Sequence, residues 1–147
     1  QICSMAGVWM VIADAKKVEL STILERGARS TVFKPSKPLP GKKLWMIFAS
    51  NVSGCIYLDK GALKALKQGA SILLPGIKRV SGDFNKDDVI EARSLDNNLL
   101  IAKGIANYSS REILKYIDLY QSDKPQFKRQ KIEEIIHRDH LALLTWQ

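Results

Sequence analysis

Lys60, Lys64 and Lys67 stand three and four residues apart, the spacing that puts side chains on one face of a helix. Ammonium groups so placed can follow a phosphate backbone, because each lysine that neutralises a phosphate releases a condensed counterion. They lie in the most basic part of the chain. Residues 42–82 hold seven Lys/Arg against one acid, Asp59, whereas residues 83–122 hold five basic and seven acidic residues. A solvated helix face is the competing explanation. No aromatic side chain interleaves with the lysines, so base stacking is not predicted.

Other residue sets imitate chemistry without completing it. His137-Arg138-Asp139 copies three letters of the protein-kinase catalytic loop, but no Asn follows and only eight residues remain for an activation segment. His137 and His140 have no cysteine or acidic cluster to make a metal site with them. Asn51-Val52-Ser53 and Asn107-Tyr108-Ser109 fit the glycosylation triplet, which a cytoplasmic location makes irrelevant. Cys3 and Cys55 are too few and too far apart for a disulfide framework, and they read as two reduced, buried thiols. Trp9, Trp45 and Trp146 read as core anchors. No glycine-rich phosphate loop is present.

The elements that would position these residues follow from pattern. Residues 8–13, VWMVIA, predict a buried strand. Apolar spacing over residues 17–26, ending at Gly27, predicts a helix, and Ser30 to Phe33 predicts a strand. The order strand–helix–strand suits an α/β domain. Residues 34–43, with three prolines and a glycine, exclude helix and central strand and predict a linker. Strands are then predicted at residues 44–48 and 54–58. Asp59 would cap a helix that runs to Gly69. Two strands (71–74 and 77–80) break at Pro75-Gly76, and two more (88–92 and 99–106) join through the turn Asp96-Asn97-Asn98. Ser109, Ser110 and Glu112 approach a capping box that opens a helix through Tyr116. A polar loop over 121–130, a short helix over 131–136 and a strand over 141–146 close the chain. Many short strands with few helices predict a mainly β fold in the form of a small barrel.

The totals agree with an ordinary globular chain: 147 residues, 46% hydrophobic, 26% charged, net charge +8. That length suits one full domain with a modest core, or a small domain plus part of another. No apolar run is long enough to span a bilayer, so no membrane partner is predicted. Gln1 opens onto Ile2-Cys3-Ser4 with no basic segment and apolar core of a secretory signal. The missing initial Met predicts that the chain is a piece of a longer protein.

Read together, Leu58-Asp59-Lys60-Gly61-Ala62, then Lys67 through Ile77 (KQGASILLPGI), Gly82-Asp83-Phe84, Asp87-Asp88-Val89 and Ile101 through Ser110 (IAKGIANYSS) resemble a PUA domain. That family's fold is a pseudobarrel. The flanks resemble the C-terminal part of the glutamate 5-kinase family. Ala6 through Ala13 is similar to the strand that ends that family's amino-acid-kinase domain, Ser30-Thr31-Val32-Phe33 stands where Gly-Thr-Leu-Phe is common, and Ile136 through Leu141 also matches. The chain departs from the pattern at Ser30, at Asp14-Ala15 in place of Asn-Gly, at His140 in place of Asn, and in the loop 121–130.

The resemblance implies three segments: a remnant of the kinase domain at 1–33, a linker at 34–43, and a PUA domain with a C-terminal extension at 44–147. It implies a full-length parent that uses ATP and Mg²⁺ to phosphorylate the side-chain carboxylate of L-glutamate in proline biosynthesis. The parts for that chemistry would lie upstream, so no catalytic, cofactor or metal residue is assigned here, and the chain alone is expected to be inactive. PUA domains elsewhere bind RNA beside the first helix and the loop after it. That correspondence implies Lys60, Lys64, Lys67, Gly69, Lys78 and Arg79 as nucleic-acid contacts. An RNA-binding module of an RNA-modifying protein is therefore the alternative function, and a truncated product used only for assembly is a third. Strands of a kinase remnant would leave unpaired edges, from which homo-oligomers are expected.

Overall fold

The computed structural model describes residues 2–14, 16–24, 29–122, 125 and 130–144, and only the backbone of Leu20 and Leu24. The chain divides into two compact units, Gln1–Leu44 and Trp45–Gln147.

The first unit is built on a hairpin-like pair of strands. After a short helix α1 (Ile2–Met5), β1 (Met10–Ala13) pairs antiparallel with β2 (Ser30–Phe33), and α2 (Leu20–Leu24) lies between them in sequence. Val11 faces Val32 across the pair and Met10 faces Phe33. Val11, Ile12, Val32 and Phe33 are all exposed, as are Val8 and Trp9. Apolar residues therefore lie bare on both faces of this two-stranded sheet, since neighbours in a strand point to opposite sides.

The second unit is mainly β with short helices, as its sequence pattern predicts. Its strands are β3 (Gly54–Leu58), β4 (Ile77–Gly82), β5 (Val89–Ser94), β6 (Leu100–Ile105) and β7 (Leu141–Leu143), hydrogen-bonded in the order β4-β3-β5-β6-β7. All pairings are antiparallel except β3 with β5. Among the described residues no pair joins β4 to β7, so hydrogen bonding does not close the sheet. One isolated bridge, Ile72 with Ile136, ties the segment before β4 to the segment before β7. Helix α4 (Lys60–Lys67) follows β3, and α5 (Ser110–Ser122) follows β6.

Alternation decides what is buried. Ile56 and Leu58 of β3, Ile90 and Ala92 of β5, and Ala102 of β6 turn into one core with Leu66, Ile72, Phe84, Ile113 and Ile136. Gly54 and Gly104 are among the glycines required by close approach. A Cβ on Gly54 would lie 2.5 Å from the Phe84 ring, and one on Gly104 would lie 2.6 Å from Ile136. Gly82 has φ +88°, a left-handed conformation that frees it to turn the chain out of β4 towards Asp83.

Several expectations need correction. Residues 44–48 are not a strand: helix α3 (Gly41–Phe48) starts inside the segment expected to be linker. The carbonyl of Pro40 accepts from Lys43 and Leu44 N–H, which starts the first turn. Met46 and Ile47 are then buried, and a short apolar run does not distinguish the two outcomes by periodicity. Residues 131–136 are not helical either, because Ile135 and Ile136 spend their N–H groups on the Ile72 carbonyl. The predicted strand at 71–74 reduces to the Ile72 bridge, and Leu74–Gly76 form a 3₁₀ turn around Pro75. Helix α5 continues past Tyr116 to Ser122. Trp9 and Trp45 are not core anchors, being 57% and 50% exposed, while Trp146 lies outside the described residues. Cys3 and Cys55 are free but only half-buried. The predicted loop 121–130 and the ends of the predicted helix 17–26 and strand 141–146 fall partly outside the described residues.

Candidate nucleic-acid interface

Helix α4 carries the residues singled out by charge, and its ends are fixed by its own sequence. Asp59 Oδ1 accepts from the N–H of Ala62 at 2.9 Å, an N-cap. At the other end Gly69 (φ +84°) donates to the Leu66 carbonyl and Ala70 donates to the Ala65 carbonyl, a Schellman ending that needs a residue at ease with positive φ. Gly69 thus has a structural task. The Asp59 carboxyl is held below the ordinary carboxylate range, first by the Ala62 N–H, with partial burial opposing and the Lys78 ammonium assisting.

The three lysines do share a face and are exposed. That face points away from the hollow beside the helix. At about 100° per residue, the stripe of Lys60, Lys64 and Lys67 is centred about 140° from Gly61, Ala62 and Ala65, which line the hollow. Lys60 reaches instead to Asp96 in the β5–β6 turn, Nζ to Oδ2 3.5 Å. Both partners are well exposed, so this pair contributes little. Lys64 and Lys67 have no carboxylate partner among the described residues.

Lys78 and Arg79 are held elsewhere. Lys78 Nζ lies 3.2 Å from Asp59 Oδ2 and donates to the Pro75 carbonyl at 2.9 Å. Arg79 lies over the Tyr57 ring, 3.7 Å from its centroid. Tyr57 is the aromatic platform that the sequence did not reveal, because only the β3–β4 register sets it opposite Arg79. Tyr57 is 9% exposed, and Arg79 occupies the face a base would need. The six residues therefore form three separate groups: a lysine flank on which Lys60 is paired with Asp96, a structural glycine, and two further cations already engaged.

The hollow itself was not foreseen. It runs between α4 and residues 70–76, with Ala62, Ala65, Ala70, Leu73 and Pro75 in its lining and, among the described residues, Asp59 as its one charged lining residue. Leu73 is 54% exposed there. The signal in the sequence is the alternation Ser71-Ile72-Leu73, which turns Ile72 inward and its neighbours out.

The decoys resolve into structure. His137 Nδ1 accepts from Asp139 N–H at 3.2 Å and opens a short 3₁₀ turn, Arg138–His140. Asn107 donates to the Glu134 carbonyl at 2.7 Å, which ties the end of β6 to the C-terminal segment. The capping box is real: Ser109 N–H and hydroxyl both donate to Glu112 Oε2, and those two bonds hold the Glu112 carboxyl low. No group of three or more His, Cys, Asp or Glu side chains is placed to hold a metal among the described residues. No described helix is long and apolar enough to cross a membrane.

Residues 54–121 match the family model of the PUA domain, and this part of the chain is a PUA domain. A solved PUA domain from Aeropyrum pernix K1 aligns with 90% of the chain and 85% of its own length, at 21% identity and a TM-score of 0.49. Over nearly its whole length the chain is homologous to the C-terminal region of glutamate 5-kinases. It is 37% identical to the enzyme of Carboxydothermus hydrogenoformans over 146 residues, which is 98% of this chain and 39% of that protein. For the enzyme of Rhodospirillum rubrum the identity is 35%, over 97% of this chain and 38% of that protein. The chain thus spans about two fifths of these relatives.

The cap gives a test with a definite sign. Replacing Asp59→Ala is expected to cost about 1 kcal/mol at neutral pH. Because the folded carboxyl sits below its ordinary value, this stability is present above about pH 4 and lost as pH falls through the folded pKa. Urea unfolding of both proteins between pH 7 and pH 2.5 reads it. A difference that grows on acidification would contradict the assignment.

Proposed function

We propose that this chain is the C-terminal part of a glutamate 5-kinase and serves there, in the cytoplasm, as a non-catalytic accessory segment built around its PUA domain. The observation that carries the reading is 37% identity across 98% of the chain to a glutamate 5-kinase of which it spans 39%. The parent would transfer the γ-phosphoryl group of ATP to the side-chain carboxylate of L-glutamate, giving γ-glutamyl phosphate on the way to proline. Such a transfer needs donors converging on the triphosphate, Mg²⁺ against its charge, and a group that holds the attacking carboxylate in line.

The cations here do not fit that task. Lys60, Lys64 and Lys67 lie along one flank of α4, Lys78 is turned to Asp59, and Arg79 is stacked on Tyr57. No step of the phosphoryl transfer is therefore assigned to these residues. Incubation of the purified chain with MgATP, L-glutamate and hydroxylamine is expected to give no γ-glutamyl hydroxamate above background, while the chain joined to its upstream sequence gives it. Turnover by the chain alone would overturn the proposal.

A second reading, contact with RNA, is favoured by the exposed Lys64 and Lys67 on the free flank of α4. On this reading, binding of transfer RNA weakens with salt, and Lys64→Gln with Lys67→Gln together lower the slope of log affinity against log salt by between about one and two. An unchanged slope would remove that flank from the interface.

A further inference from the structure

Residues 44–49, Leu-Trp-Met-Ile-Phe-Ala, are an unbroken apolar run. Such a run passes round every side of a helix, and a helix that is apolar all round belongs between two surfaces. α3 is covered on one side only. Met46 and Ile47 are buried, and two bonds fix this last turn: Lys103 Nζ donates to the Ile47 carbonyl and Ser50 Oγ donates to the Met46 carbonyl. Trp45 projects about 160° from Ile47, with Phe48 and Ala49 within about 60° of Trp45 on the same outer side. All three are exposed. Among the described residues of the second unit, every other aromatic side chain is buried or half-buried. α3 therefore holds two aromatic side chains in a fixed, bare position, and aromatic anchors of that kind carry protein interfaces.

The charge around the stripe and the position of α3 in the chain select the partner. Residues 26–58 hold six Lys/Arg and no acid, and exposed Lys42 lies on the outer side one turn before Trp45. A surface that meets this side is apolar at its centre and neutral or acidic at its rim. A second copy would bring a further net charge of +8 to the contact. The upstream part of the parent is the better occupant. About three fifths of the relatives' length lies outside this chain, which matches their C-terminal region. The two-stranded sheet of the first unit, bare on both faces, also needs covering. Only residues 34–40 separate that sheet from α3, and Leu39 N–H is bonded to the Met5 carbonyl within the first unit. A body that covers β1 and β2 is thus tethered close to Trp45 at high effective concentration.

We propose that the outer side of α3, centred on Trp45 and Phe48, is the surface on which the upstream part of the parent protein docks, through an apolar patch with a neutral or acidic rim. This rests on reading the chain as the C-terminal part of a glutamate 5-kinase, and it names the contact that holds the accessory segment in place.

The test compares this chain with the same chain joined to its upstream sequence, by hydroxyl-radical oxidation read residue by residue in a mass spectrometer. Oxidation of Trp45 and Phe48 is expected to fall about tenfold in the joined protein, the change from an exposed to a buried side chain. Leu114, exposed on α5, is the reference that keeps its rate. Trp45→Glu in the joined protein is expected to return Phe48 to the rate it has in the chain alone. In the chain alone the same variant keeps the melting temperature, because the side chain is exposed there, and this shows that the fold is intact. Formation of γ-glutamyl hydroxamate by the joined protein is scored separately. Failure of the kinase reading then appears as missing product, and failure of the docking surface as an unprotected Trp45. Equal oxidation of Trp45 in the two proteins would overturn the proposal. So would protection that grows with the concentration of the chain alone, which would give the stripe to a second copy.

Discussion

The second unit depends on one five-residue strand that is paired along both edges. β3 runs antiparallel to β4 and parallel to β5, and Ile56 and Leu58 are fully buried between their neighbours. Parallel partners cannot be joined by a tight turn, so the chain must travel through α4 and β4 before β5 can dock. Asp59 directly follows β3, so the same strand sets where α4 begins. The close approach of Gly54 to Gly82 and to the Phe84 ring fixes the other end of the β3–β4 pair, where a Cβ on either glycine has no room. A side chain at Gly54 would force apart the two strands that place α4, the hollow and the lysine flank.

Signals with a local cause were legible. The N-cap at Asp59, the Gly69 ending, the capping box of Ser109 and Glu112, and the turn at residues 96–98, where Asn98 adopts φ +56°, each depend on neighbours in sequence. What sequence reading got wrong was decided at a distance. α3 competes evenly with a strand until Met46 and Ile47 are buried and Lys103 Nζ donates to the Ile47 carbonyl at the helix end. Residues 131–136 have the apolar spacing of a helix, but Ile72, more than sixty residues earlier, claims their backbone. Burial was misjudged for the same reason: Trp45 is on the outer side of a helix whose inner side only the fold defines.

The candidate site shows the same division. That Lys60, Lys64 and Lys67 share a face is a property of helical spacing. Which way that face points is set by Leu63 and Leu66, which seat α4 on the core. The seating separates a basic flank from a hollow whose carboxylate, Asp59, is paired with Lys78. Lys78 and Arg79, adjacent on β4, are drawn to Asp59 and to Tyr57 respectively. The lysine flank and the hollow therefore lie on different sides of one helix.

The most direct test of that account is the turnover number of the parent enzyme with and without residues 45–147. If these residues stabilise no charge in the transition state, kcat of the truncated enzyme stays within about tenfold of the intact one, since loss of even one such donor costs about a hundredfold or more. A hundredfold fall, in a truncated enzyme that is still folded and still binds ATP, would contradict it and place part of the chemistry in this chain.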